Sequence, residues 1–325
     1  MSPSTSSGHG QGTKQRLAWL PYADRAEAER RLGGIPEGID IDCYDASGPL
    51  PDSVAEVNFY VIPYMKGAEQ LDRVAEMTAL EVVQTQTAGV DNFKPVIPAG
   101  VTLCNAAGVH DASTAELAVA LMLASGRHLD VFARLQERGE WGFVFGNSLA
   151  DKRVLIIGYG RIGAAIERRL AGFEVASVTR VARRARDGAD GGPAVHAIAD
   201  LPRLLPSADI AVVIAPLTPE TDGLIGAEEL ALLPDGALLV NVARGRLVDT
   251  DALLAETGRG RIRAALDVTE PEPLPADHPL WQVPDVLISP HVGGASTAFF
   301  PRADKLIAEQ LARWAAGEEL ENVIR

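Results

Sequence analysis

Only two cysteines, Cys43 and Cys104, occur in 325 residues. That is too few for a disulfide framework or a structural zinc site, and free thiols in a reducing, cytoplasmic setting are the expectation. Positive charge is also scarce: 30 lysines and arginines against 44 acids leave a formal charge of −14. An acidic surface repels nucleic acid and anionic membranes, so neither is expected as a partner, and an anionic substrate would need a local basic site. Long apolar runs are missing too. The most apolar stretch, residues 117–124, is far shorter than the roughly 20 residues of a membrane span and reads as a buried helix. H-E-x-x-H and G-x-S-x-G are both absent, which removes the zinc-protease and hydrolase signatures, and no metal is expected. No internal repeat is present. Residues 1–15 are Ser/Gly-rich without an apolar segment and read as a disordered leader.

What is present is an ordinary globular composition, 47% hydrophobic and 23% charged, at a length that suggests two domains. From Arg16 onward short β-branched runs alternate with helical patterns, the signal of parallel α/β sheets. Residues 17–20, 39–44, 59–63 and 81–85 read as strands of a first sheet. A long helix over 113–128 follows, apolar on most faces. A second series of six strands is predicted at 153–157, 176–180, 210–215, 237–242, 262–268 and 286–289. After the first of these, Ile162, Ile166 and Leu170 recur at four-residue spacing, one apolar helix face. Residues 298–316 read as a last helix with Ile307, Leu311 and Trp314 on one face, Pro301 in its first turn and Gly317 as its stop.

The segment from Val154 to Gly163 is a strand, a G-x-G-x-x-G turn and a helix start. Gly158 permits the tight turn, Gly160 lets a pyrophosphate approach the backbone, and Gly163 lets helix and strand pack closely. The phosphate would sit on free N–H groups at the positive helix end. Ligands of open α/β sheets bind beyond the carboxyl ends of the strands, and three charged residues fall there. Arg244 follows the strand ending at Val242, Glu272 lies five residues past Asp267, and His291 follows the strand near Ser289. A guanidinium can grip a carboxylate and polarise a carbonyl, while an imidazole can donate a proton near neutral pH. A carboxylate beside that imidazole favours its charged form. The set suits reduction of a 2-keto acid. Of the other histidines, His110 and His278 lie near the same rim without a carboxylate at useful spacing.

These residues resemble the D-isomer-specific 2-hydroxyacid dehydrogenase family. The resemblance runs from about residue 57 to 297. It is carried by Asn105-Ala106-Ala107-Gly108, Thr114-Ala115-Glu116-Leu117-Ala118, Gly158-Tyr159-Gly160-Arg161-Ile162-Gly163 and Pro216-Leu217-Thr218-Pro219-Glu220-Thr221. It continues in Asn241-Val242-Ala243-Arg244-Gly245, Asp267-Val268, Glu272-Pro273 and Ser289-Pro290-His291-Val292-Gly293-Gly294. It implies two Rossmann-like or flavodoxin-like parallel-sheet domains, a nucleotide domain (105–294) inserted into a discontinuous substrate domain (16–104 and 295–325), hinged on long helices that close over the substrate. It implies a homodimer built on the helix near 112–128 and the arm after it. Arg244, Glu272 and His291 take the catalytic positions. Asp267 takes the place of the nicotinamide contact, with Tyr159, Ala215, Pro216, Thr221, Val242 and Gly293 also around the cofactor. The N–H groups of Ala88 and Gly89 take the substrate-carboxylate loop. Tyr64, Met65, Trp141, Phe299 and Phe300 are candidates for the side-chain pocket.

One departure matters for the cofactor. The acid that usually ends the second nucleotide-domain strand is absent, and Thr179-Arg180-Val181-Ala182-Arg183-Arg184 stands there, followed by Arg186. An arginine at that end favours a 2′-phosphate, so NADPH is expected over NADH, with Arg180 and Arg183 as its readers. The resulting reading is an NAD(P)-dependent 2-keto acid reductase of glyoxylate or hydroxypyruvate type. Formate or phosphite oxidation on the same scaffold is the alternative, as is a nucleotide-sensing corepressor that binds partners. The anion loop lacks the extra cation a phosphite site would favour, and no Pro-rich or basic partner tail is seen.

Overall fold

The computed structural model describes residues 16–188 and 192–324, so the stretch read as a leader lies outside it. The chain divides into two compact units, one running up to Ala106 and resuming at Ala303, the other spanning Ala107–Arg302.

In the first unit, β1 (Arg16–Leu20), α1 (Arg25–Leu32), β2 (Ile39–Cys43), β3 (Phe59–Val61), β4 (Val82–Gln84) and β5 (Thr102–Cys104) follow in order. The five strands form a parallel sheet ordered β2-β1-β3-β4-β5. That is the flavodoxin-like order, with α1 against one face and loops and short helical turns carrying Leu71, Met77 and Phe93 against the other. α1 starts where the Asp24 carboxylate accepts from the Glu27 N–H at 2.8 Å, and stops at Gly33, whose φ of 77° suits only a residue without a Cβ. β5 is an addition to the sequence reading. It is a three-residue edge strand, too short to display alternation.

The second unit contains α2 (Asp111–Gly126), α3 (Leu129–Glu137), β6 (Arg153–Ile157), α4 (Arg161–Leu170), β7 (Ser177–Ala182), β8 (Val195–Ala197) and α5 (Leu201–Leu204). Then come β9 (Ile210–Val213), α6 (Ala227–Leu232), β10 (Leu238–Asn241), α7 (Thr250–Gly258), β11 (Arg263–Leu266) and β12 (Val286–Ile288). Seven parallel strands are ordered β12-β11-β10-β9-β6-β7-β8, one more than the six expected. The order reverses between β6 and β9, which opens a crevice at their carboxyl ends. Two buried clusters flank the sheet: one centred on Ile157, Val213 and Leu239, the other on Ile156, Val212 and Ile166. β7 also runs on to Ala182 rather than ending at Arg180, since Val181 is fully enclosed and pairs with Ile157.

α8 (Phe299–Ala316) completes the chain, and its Ile307, Leu311 and Trp314 pack on β1–β4 of the first unit. The return to the first unit falls at 302/303, later than the 294/295 read from sequence. The Ser296 hydroxyl stays bonded to Ser113 of α2 at 2.6 Å. No helix among the described residues is long and apolar enough to cross a membrane.

Candidate active site

The glycine turn follows β6. Gly158 has φ 110°, and a Cβ there would lie 2.4 Å from the Ala215 nitrogen just past β9. A Cβ on Gly163 would lie 2.8 Å from the Gly158 carbonyl, so helix and strand pack closely only with glycine. Gly160 differs, because a Cβ there would meet nothing within 4 Å. It caps α4 without any side-chain acceptor, leaving the first helical N–H groups, those of Arg161 and Ile162, uncapped beside open space. A pyrophosphate fits that cradle, and any side chain at Gly160 would fill it. The Val181 carbonyl accepts from Gly158 at 2.8 Å and Tyr159 at 2.7 Å, tying the turn to β7.

The arginines at the end of β7 do not all do what the sequence suggests. Arg180 sits two residues inside the strand end, and its guanidinium is committed to Glu167, the Pro193 carbonyl and the face of Tyr159. Arg183 and Arg184 follow the strand, exposed and without an ion pair among the described residues. Arg186 donates to the Tyr159 carbonyl at 2.6 Å. Glu220 faces this corner: a Thr218 hydrogen bond first, and the charge of Arg183 last, hold its carboxyl below the usual range. Thr221 is buried, accepting from Thr218 N–H at 2.8 Å and donating to Pro216 at 2.7 Å, so it shapes the 216–221 turn that follows Ala215. Arg161 pairs with Asp111 at 2.9 Å.

Three strands converge on the trio. Arg244 leaves β10 after the buried Val242 and Ala243; Asn241 braces this exit, its Oδ1 accepting from Ala243 N–H at 3.1 Å and its Nδ2 donating to the Arg244 carbonyl at 2.9 Å. The next residue must be glycine, because a Cβ on Gly245 would fall 1.9 Å from the Thr269 carbonyl oxygen. That backbone crossing brings the Arg244 strand end beside the Thr269–Glu272 segment. His291 Nδ1 lies 2.5 Å from Glu272 Oε1. Burial pushes the Glu272 carboxyl up, but the hydrogen bond and charge of His291 and the charge of Arg244 outweigh it and hold it below the usual carboxylate range.

His291 occupies the left-handed region at φ 52°, rare for a residue with a Cβ. Asp267, 2% exposed, holds it there. Its carbonyl accepts from the His291 N–H at 2.7 Å. Its Oδ1 accepts from the Ser289 hydroxyl at 2.6 Å and the Val292 N–H at 2.9 Å, and its Oδ2 from the Gly293 N–H at 2.7 Å. A Cβ on Gly293 would approach that Oδ2 to 2.9 Å. The structure therefore brings Arg244, Glu272, His291 and Asp267 together and commits the Arg180 guanidinium to Glu167 and the Pro193 carbonyl. Asn241 and Ser289 are bracing residues that sequence reasoning missed; both are polar side chains at apolar strand ends, the one signal that could have found them. Of the remaining candidates, His110 stacks on the buried Phe299 at 5.5 Å, His278 caps the 279–282 turn through Nδ1, and Phe300 is exposed.

In the first unit, the 85–91 loop has its carbonyls turned inward. Thr87 O accepts from Thr85 Oγ1 and Ala106 N–H, Ala88 O from Asn105 Nδ2 at 2.7 Å, and Gly89 O from Thr87 Oγ1 at 2.9 Å. The N–H groups of Ala88 and Gly89 have no partner among the described residues. Met65 is exposed, and Tyr64 beside it is half-buried.

Comparisons with known proteins bear on this geometry. The family model described as D-isomer specific 2-hydroxyacid dehydrogenase, NAD binding domain, matches residues 119–293. A glyoxylate reductase of Korarchaeum cryptofilum is 30% identical over 326 residues, covering 93% of this chain and 95% of that protein. A D-3-phosphoglycerate dehydrogenase of Methanocaldococcus jannaschii is 34% identical over 258 residues. That match covers 78% of this chain and 49% of the relative, so this chain spans about half that protein's length. A D-isomer specific 2-hydroxyacid dehydrogenase from Xanthobacter autotrophicus, crystallised with NADPH and MES, is similar at a TM-score of 0.76 and 31% identity, covering 96% of this chain and 98% of that one.

Proposed function

Because this chain belongs to the D-isomer-specific 2-hydroxyacid dehydrogenase family, we propose that it reduces a small 2-keto acid to the 2-hydroxy acid with NADPH. Glyoxylate and hydroxypyruvate are the substrates favoured, since relatives carry those names. The uncapped α4 N–H groups and the 216–221 turn would hold the dinucleotide, which when bound would supply the hydride. Arg244 polarises the carbonyl oxygen, and Ala88 and Gly89 donate N–H bonds to the substrate carboxylate. His291 commits Nδ1 to Glu272, which leaves Nε2 to give its proton to the carbonyl oxygen as hydride arrives. Glu272 stays charged and steadies the imidazolium. The observation that carries this reading is the 2.5 Å His291–Glu272 pair beside Arg244 at the strand ends.

The preference for NADPH is supported by Arg183 and Arg184 and by the missing strand-end acid, with Arg180 removed from the set of direct readers. Charge-assisted bonds of about 1.5–3 kcal/mol each translate into a preference of about tenfold to a few hundredfold. A panel of short 2-keto acids, assayed with NADPH and with NADH, tests both parts. Turnover of no keto acid removes the reductase reading, whereas equal kcat/KM for the two cofactors removes only the arginine reading. A homodimer is the assembly proposed, because Trp141, Phe143 and Phe145 lie exposed on the arm after α3, which itself buries no residue. Three aromatics within five residues make a patch that a second copy of the chain would cover.

A further inference from the structure

The sequence lacks the acid that would bond a ribose 2′-hydroxyl, yet the structure holds a carboxylate against the same strand. Glu167 reaches it from α4. Arg180 Nε donates to Glu167 Oε2 at 2.9 Å and Nη2 donates to Oε1 at 2.7 Å, a two-pronged pair. The Tyr159 hydroxyl donates to the same carboxylate. The Arg180 guanidinium lies 5.0 Å from the centre of the Tyr159 ring, and its Nη1 donates to the Pro193 carbonyl at 2.7 Å. Tyr159 is the residue between the first two glycines of the turn, so the pair sits beneath the cofactor rim. Arg186 closes the assembly, exchanging backbone bonds of 3.0 and 2.9 Å with Val195 while its side chain holds the Tyr159 carbonyl.

Both partners are mostly covered, at 16% and 20% exposure. Together they carry no net charge; either alone would. A bare carboxylate beneath the rim repels a 2′-phosphate, and a bare guanidinium attracts it. We propose that Arg180 acts on cofactor choice only through Glu167: it masks a carboxylate that, once uncovered, moves the site toward NADH. The proposal rests on the NAD(P) reading above, with Arg183 and Arg184 meeting the adenosine ribose.

The test is a charge cycle read by nicotinamide fluorescence titration of NADPH and NADH at low salt. The proteins are the parent, Arg180→Met, Glu167→Gln and the double variant. Arg180→Met uncovers the carboxylate, so NADPH should bind about twofold to fivefold more weakly while NADH changes less, the size of one nearby charge that does not touch the phosphate. Glu167→Gln keeps the shape but drops the charge and one of the two acceptors facing Arg180, so the NADPH:NADH preference should rise by a similar factor. The double variant replaces one neutral pair with another and should return to within about twofold of the parent. A double variant as poor toward NADPH as Arg180→Met would mean that Arg180 touches the phosphate itself, which overturns the proposal. A purely structural pair would shift both affinities alike and leave their ratio fixed, which overturns it too. Should the arginine variants not fold, Glu167→Gln alone decides: a preference that fails to rise contradicts the masking. The NADPH reading is judged separately, on the parent's own preference, because the cycle uses only changes relative to the parent.

Discussion

Asp267 and Glu272 are both acids near His291, and their surroundings give them different work. Asp267 spends its carboxylate on three donors of the 289–293 loop. A carboxylate has about four acceptor directions, so one remains for the nicotinamide contact that the resemblance assigns to it. Glu272 is half-exposed and pairs with the imidazole itself. Arg244 and His291 were legible because each follows an apolar run, and Glu272 because it lies five residues past Asp267 at such a strand end, whereas the clamping role of Asp267 depends on bonds to backbone N–H groups, which no residue pattern advertises. The lowered Glu272 carboxyl sets the sign of a pH test. Above that lowered range Glu272 is ionised and holds the His291 ring through its hydrogen bond; as pH falls through the range, that hold is lost. Glu272→Gln removes the group that titrates in that range, so the acid-side loss of kcat/KM for reduction through it should disappear. Parent and variant profiles that superimpose would take Glu272 out of the mechanism.

Among the elements, those with strong periodicity were read well and short edge pieces were not. β6, bounded by a glycine turn and made of Val154, Leu155, Ile156 and Ile157, is found at its predicted bounds. β5 and β8 have three residues each at sheet edges, too few for an alternating pattern to stand out. β7 shows the cost of a misplaced boundary. Sequence places its end at Arg180, but pairing with β6 carries the strand to Ala182 and leaves Arg183 and Arg184 just beyond it. α3 and its arm pose the opposite problem, apolar residues that the described residues of the chain leave half-covered or, at Leu129, Trp141, Phe143 and Phe145, exposed. Replacing Trp141, Phe143 and Phe145 together with serine should convert a dimer into monomers in sedimentation velocity, with secondary structure retained. A parent that sediments as a monomer, or a variant that stays dimeric, would contradict the proposed arm contact.

Across the whole chain, net charge and site charge run in opposite directions. A molecule of charge −14 keeps Arg183, Arg184 and Arg244 where an anionic cofactor and an anionic acid would be read, so attraction is local and discrimination rests on placement rather than on a general field. Both sheets were legible as parallel because strands and helices alternate throughout, and the reversal of strand order puts the glycine turn and the trio along one edge of the second sheet. The central claim is that His291 supplies the proton in a hydride transfer to a keto acid. It is tested most directly by single-turnover reduction of glyoxylate, or of the best substrate from the panel, in the parent and in His291→Asn, with the NADPH affinity of each measured in parallel. The account predicts a loss of about a hundredfold to ten-thousandfold in the reduction rate with NADPH binding nearly unchanged; a variant that keeps most of its rate while binding NADPH normally would contradict it.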